Sequence, residues 1–118
     1  MKIVQKQLEL EGIEYYIVHL NIVNALLVNK MTDKELNILA NFMSLDKSIT
    51  SSDMFNTFAR KQVKENLDNM SSGSLSNHLK SMLDKGFLSK NEFGKINIKP
   101  FLIPEEDWQG YQFKITKK

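Results

Sequence analysis

Cysteine is absent from the 118 residues, so disulfides and thiolate metal sites are excluded and the redox compartment is left unread. Only two histidines occur, His19 and His78, 59 residues apart, and no glycine-rich phosphate loop accompanies them. Nothing in the chain therefore spells a nucleophile, metal or nucleotide site, and no cofactor and no catalysis are expected. No apolar run approaches the roughly 20 residues that a membrane span needs, and nothing before the first charged residues reads as a signal peptide. A cytoplasmic setting is the expectation. Arginine occurs once, as Arg60. Arginine is the commonest specific guanine reader, so a lysine-dominated surface points to backbone attraction more than to rich base readout.

What is present is ordinary for a globular domain: 42% hydrophobic and 25% charged residues, enough for a single core. The net charge of +2 is too weak to argue for nucleic acid by itself. Its distribution says more. Residues 1–59 hold five lysines against seven carboxylates, whereas residues 60–99 hold eight basic residues against four acidic ones.

Residues Ile3 to Leu20 are dense in Ile, Val, Leu and Tyr and broken at Glu11-Gly12, which predicts two strands joined by a turn at that glycine. The run Tyr15 to Leu20 is too apolar for a half-exposed strand and should pack inward, with His19 a satisfied core residue; Asn21 to Val28 reads as strand or short helix. Thr32 and Glu35 form a capping box, and Leu36, Leu39, Ala40 and Met43 make one stripe, predicting a helix over about 32–44. Leu45 to Asn56 reads as a polar connection with room for a helical turn. Thr57 can cap a helix to about Leu67, with Phe58, Ala59, Val63 and Leu67 inward and Arg60, Lys61 and Lys64 outward.

Asn69 to Ser72 makes a turn, and either Ser71 or Ser72 can cap the next helix. In that helix Leu75, Leu79, Met82 and Leu83 form an apolar stripe, and the opposite face should carry Ser74, Asn77, His78, Lys80 and Ser81. Gly86 fits a left-handed helix end. Phe87 to Lys90 and Lys95 to Lys99 read as two strands around an Asn91-to-Gly94 turn, closed by Pro100. The tail holds the proline-bounded segment Phe101 to Pro104, an acidic run Glu105-Glu106-Asp107, and an alternating strand at Tyr111, Phe113 and Ile115.

Helix, helix, turn, helix and hairpin over Thr32 to Lys99 resemble the winged helix-turn-helix family. The most specific part is Ser74-Leu75-Ser76-Asn77-His78-Leu79-Lys80 followed by Leu83-Asp84-Lys85-Gly86-Phe87-Leu88. It is similar to a pattern of MarR-like regulators and of plasmid or phage replication initiators. The hydrophobic N-terminal segment, the Thr32-x-x-Glu35 helix start and the proline-bounded exit look like small winged-helix proteins of bacteriophages. The resemblance implies that the second helix of the motif enters the major groove while the hairpin reaches the minor groove or backbone. It implies groove-facing Ser74, Asn77, His78 and Ser81, phosphate contacts from Arg60, Lys61, Lys64 and Lys80, and wing contacts from Lys90, Asn91 and Lys95.

Each of these residues also has a plainer role. Asn77 can bond adenine in a bidentate way or simply solvate a helix face, and Arg60, Lys61 and Lys64 can be phosphate clamps or a solvated stripe. Asp84 near the recognition face would repel phosphate. Trp108 either closes the core from the tail or, like Phe93 at the hairpin tip, anchors a protein interface. The expectation is one α+β domain over 1–118: a β-rich extension at 1–30, a winged-helix core at 32–99 and a C-terminal extension at 100–118. Its expected role is non-catalytic binding of double-stranded DNA by a transcription or replication regulator. The alternative is a scaffold for protein contacts, such as a phage virion or assembly component, in a homo-oligomer or larger assembly and away from membranes.

Overall fold

A computed structural model describes residues 2–51 and 53–118. It is an α+β structure with five helices and one antiparallel hairpin among those residues: α1 (Ile13–Leu26), α2 (Asp33–Ser44), α3 (Lys47–Thr50), α4 (Thr57–Asn66), α5 (Ser72–Asp84), β1 (Leu88–Lys90) and β2 (Ile96–Ile98). A 3-10 turn at Pro100–Leu102 follows the hairpin. No helix among the described residues is long and apolar enough to cross a membrane.

The expected N-terminal β element is a helix instead. Gly12, at φ +56, makes the foreseen turn, but it opens α1 rather than a second strand. Ile13, Tyr16, Ile17, Leu20, Val23 and Leu27 recur at helical spacing and pack on the core. The β-branched and aromatic residues between them, Tyr15, Val18 and Ile22, gave the run its strand-like composition. Asn24 then closes the turn to α2. Its carboxamide accepts from the Met31 N–H at 2.7 Å and donates to the Met31 carbonyl at 3.1 Å, while Lys30 donates to the C-terminal carbonyls of Asn24, Ala25 and Leu27.

Helix α2 is the central element, with Leu36, Ile38, Leu39, Ala40, Phe42 and Met43 all buried. Its start is the expected capping box: Thr32 Oγ1 accepts from the Glu35 N–H at 3.2 Å and Glu35 Oε1 accepts from the Thr32 N–H at 2.8 Å. The Phe42 and Phe55 rings meet at 4.6 Å between centroids, joining α2 to the α3–α4 connection. Asn56, not Thr57, caps α4: its Oδ1 accepts from the Ala59 N–H while its amide donates to Ile49 and Asp53 carbonyls. Ala59 and Val63, four residues apart, form the inner face as expected, whereas Phe58, expected inside, lies about 100° round the helix from Ala59 and is 54% exposed.

Helix α5 ends in a Schellman motif. The Gly86 N–H donates to Leu83 O, the Phe87 N–H donates to Met82 O, and Gly86 stands at φ +86. Phe87 and Met82 are both buried, the apolar contact that usually accompanies this ending. The hairpin then pairs Leu88 with Ile98, Ser89 with Asn97 and Lys90 with Ile96, setting Leu88, Ile96 and Ile98 against the core. The strand expected at Tyr111 to Ile115 does not form, because no neighbouring strand reaches it among the described residues. Trp108 does not close the core: it is 75% exposed.

Candidate nucleic-acid interface

Helices α4 and α5 are joined by a turn of fixed shape. Asp68 and Asn69 stand at φ +55 and +57, a conformation that short polar side chains tolerate better than most, and the Met70 N–H reaches back to Lys64 O at 3.0 Å. Ser71 caps α5, its Oγ accepting from the Ser74 N–H at 3.1 Å. Lys64 spans the same turn, donating to Ser72 Oγ at 2.8 Å.

The circumference of α5 divides into three. Leu75, Leu79 and Met82 are buried as expected. Gly73, Ser76, Asn77, Lys80 and Asp84 are exposed and lie together on the outward side. Between these faces runs a half-buried flank of Ser74, His78, Ser81 and Lys85. The outward face therefore keeps Asn77 and Lys80, gains Ser76, and has Ser74 and His78 at its margin.

Ser81 is turned away from it. Its hydroxyl donates to Glu35 Oε2 at 3.0 Å, and the Lys85 ammonium meets Glu35 Oε1 at 2.7 Å. Glu35 is 1% exposed and holds α5 to the start of α2 through these two bonds. Burial pushes its carboxyl up, but the bonds from Lys85, the Thr32 N–H, Ser81 and the Thr32 hydroxyl outweigh this, and the net shift is below the ordinary carboxylate value. The sequence identified Glu35 only as half of a capping box. Its second task follows from side chains 46 and 50 residues away, with no local signal.

The basic residues fall into two groups. Lys61, Lys80 and Lys90 are exposed, and among the described residues no hydrogen bond or ion pair holds their ammonium groups. Arg60 is half-buried, with Nε donating to Phe55 O at 2.8 Å, and Lys64 is engaged with Ser72. At the hairpin tip the Asn91 side-chain oxygen accepts from both the Phe93 and Lys95 N–H groups, so this residue builds the turn from which Lys90 and Lys95 project. Phe93 stands at the tip, 86% exposed. The arrangement can place an asparagine amide, a serine hydroxyl and a lysine along a groove, with cations on α4 and the hairpin beside them. Compared with known proteins, the chain matches no family model, no curated protein and no solved structure.

Proposed function

We propose that the chain is a winged helix-turn-helix protein that binds double-stranded DNA without catalysis, inserting α5 into the major groove. The observation that carries this reading is the bare outward face of α5, with Ser76, Asn77 and Lys80 exposed on a helix whose opposite side is fixed in the core. Asn77 can donate from its amide nitrogen to adenine N7 and accept at its carbonyl oxygen from the N6 amino group, worth about 1–3 kcal/mol of discrimination when both bonds form. Lys61, Lys80 and Lys90 supply attraction to phosphate, and Ser74 and His78 border the groove. Asp84 on the same face opposes binding, so contact is centred on the N-terminal half of α5.

The test is a fluorescence-anisotropy titration of labelled duplex DNA in rising salt. With about three phosphates neutralised, log K should fall against log salt with a slope near −3. Lys61→Ala should reduce that slope by about one at every sequence, whereas Asn77→Ala should leave it unchanged and flatten sequence preference. Absence of salt-sensitive binding to any duplex at about 50 mM salt would reject the proposal. A second reading, a scaffold for protein contacts, is favoured by one feature: Phe93 at the hairpin tip, 86% exposed with no core to enter.

A further inference from the structure

The two ends of the chain carry apolar surface that the fold does not use. Ile3, Val4 and Leu8 are 70%, 82% and 57% exposed, and Trp108, Phe113 and Ile115 are 75%, 58% and 96% exposed. The tail is nonetheless held to the body as far as Tyr111. Tyr15 Oη donates to Glu105 O at 2.6 Å, Lys47 pairs with Glu106, and Tyr111 bonds His19 Nδ1. Beyond that point Tyr111, Phe113 and Ile115 alternate with Gln112, Lys114 and Thr116, the pattern of a strand with one apolar face. Among the described residues, no backbone-to-backbone hydrogen bond involves residues 2–10 or 104–118. A strand-patterned segment with a free backbone is a template for pairing.

We propose that the tail is a dimerisation strand, and that its occupant is the same segment of a second copy of this chain, paired antiparallel. The charge order selects this partner and this direction. Each tail begins with Glu105, Glu106 and Asp107 and ends with Lys114, Lys117 and Lys118. An antiparallel pair sets the acid end of each copy against the basic end of the other, whereas a parallel pair would stack like on like. Among the described residues only Glu106 of these six has an ion pair, to Lys47, so the remaining charges can meet a partner. Centring the pair on Gln112 places Tyr111 opposite Phe113, apolar on apolar, and sets Asp107 against Lys117 and Glu106 against Lys118. An open groove of about 1010 Å³ lies between the N-terminal segment and the tail, where Val4, Leu8 and Phe113 stand among Gln5, Lys6 and Glu9. The contact is isologous: the same patch serves both copies and closes the assembly at two.

The test is the solution mass of the full chain by light scattering or sedimentation. The expected result is twice the 13.7 kDa chain mass. Phe113→Asp with Ile115→Asp should give the monomer mass with an unchanged circular dichroism spectrum, since both side chains stand outside the core. Two charge-reversed chains supply the specific check: K114E/K117E/K118E should be monomeric alone, as should E105K/D107K, and a mixture of the two should recover the doubled mass. Hydrogen exchange should slow at residues 112–116 in the dimer. A wild-type mass of one chain at 100 µM, or a dimer that survives F113D/I115D, or no recovery on mixing, overturns the proposal. DNA binding is independent of each outcome.

Discussion

Glu35 and Lys85 form a pair whose two halves should differ sharply in the cost of removal. The Lys85 side chain is 26% exposed and the Glu35 side chain only 2%. Replacing Glu35 by glutamine keeps the shape and an acceptor for the Thr32 N–H, and leaves the Lys85 ammonium free to reach water. The loss is that of a charge-assisted hydrogen bond, about 1–2 kcal/mol. Replacing Lys85 by methionine keeps the aliphatic stem but leaves a carboxylate without its cation inside the protein. Removing one partner of such a pair costs about 3 kcal/mol, at the low end because Thr32 and Ser81 still donate to it. For 118 residues the unfolding entropy is roughly 0.25 kcal/mol per degree, so each kcal/mol lowers Tm by about 4 °C. Calorimetry should therefore show a fall of about 4–8 °C for Glu35→Gln and about 12 °C for Lys85→Met. The double variant should resemble Glu35→Gln alone, so the coupling in the cycle should equal the cost of Lys85→Met, about 3 kcal/mol. If Lys85→Met costs no more than Glu35→Gln, or if the two changes simply add within about 0.5 kcal/mol, the buried carboxylate is not the strained member and the reasoning fails. Because the folded Glu35 carboxyl lies below its ordinary value, its stabilisation is complete above the unfolded value and is lost as pH falls through the folded one.

Two further changes probe the joints around this core. His19 is 4% exposed; burial lowers its pKa, against a smaller opposing contribution from the bond to Leu102 O. The unfolded chain then takes up the proton first, so Tm should decline as pH drops below about 6.5, more steeply than in His19→Gln, and a flat profile between pH 7.5 and 5.5 would contradict the burial argument. Asn56→Ala removes the α4 cap and two further bonds, and should cost about 1–2 kcal/mol in urea unfolding, whereas Asn56→Asp should recover the cap alone.

The sequence was most legible where local chemistry decides the structure. The Thr32–Glu35 box, the Leu75–Leu79–Met82 stripe, Gly86 and the turn at Asn91 each carry their own instruction, and α2, α5 and the hairpin lie where those residues put them. It was least legible where a neighbour decides. Tyr15, Tyr16, Ile17 and Val18 favour a strand by composition, but α2 offers a helix-wide surface, and only the spacing of Ile13, Tyr16, Ile17, Leu20 and Val23 signalled that. Phe58 looked internal as an aromatic, yet its place in the register of α4 faces water. In the candidate interface Asn77 and Lys80 were readable from the helix wheel. Ser81 was not, because a carboxylate on another helix claims it, while Ser76 shares the outward side with Asn77 by the same helical spacing.

The paired left-handed residues Asp68 and Asn69 fix more than the path of a turn. They set the phase at which the next helix starts, and a helix advances about 100° per residue. Inserting one amino acid there would carry Leu75, Leu79 and Met82 a quarter-turn or more toward water and swing Lys80 toward the interior. The spacing between these two helices should therefore tolerate no change in length.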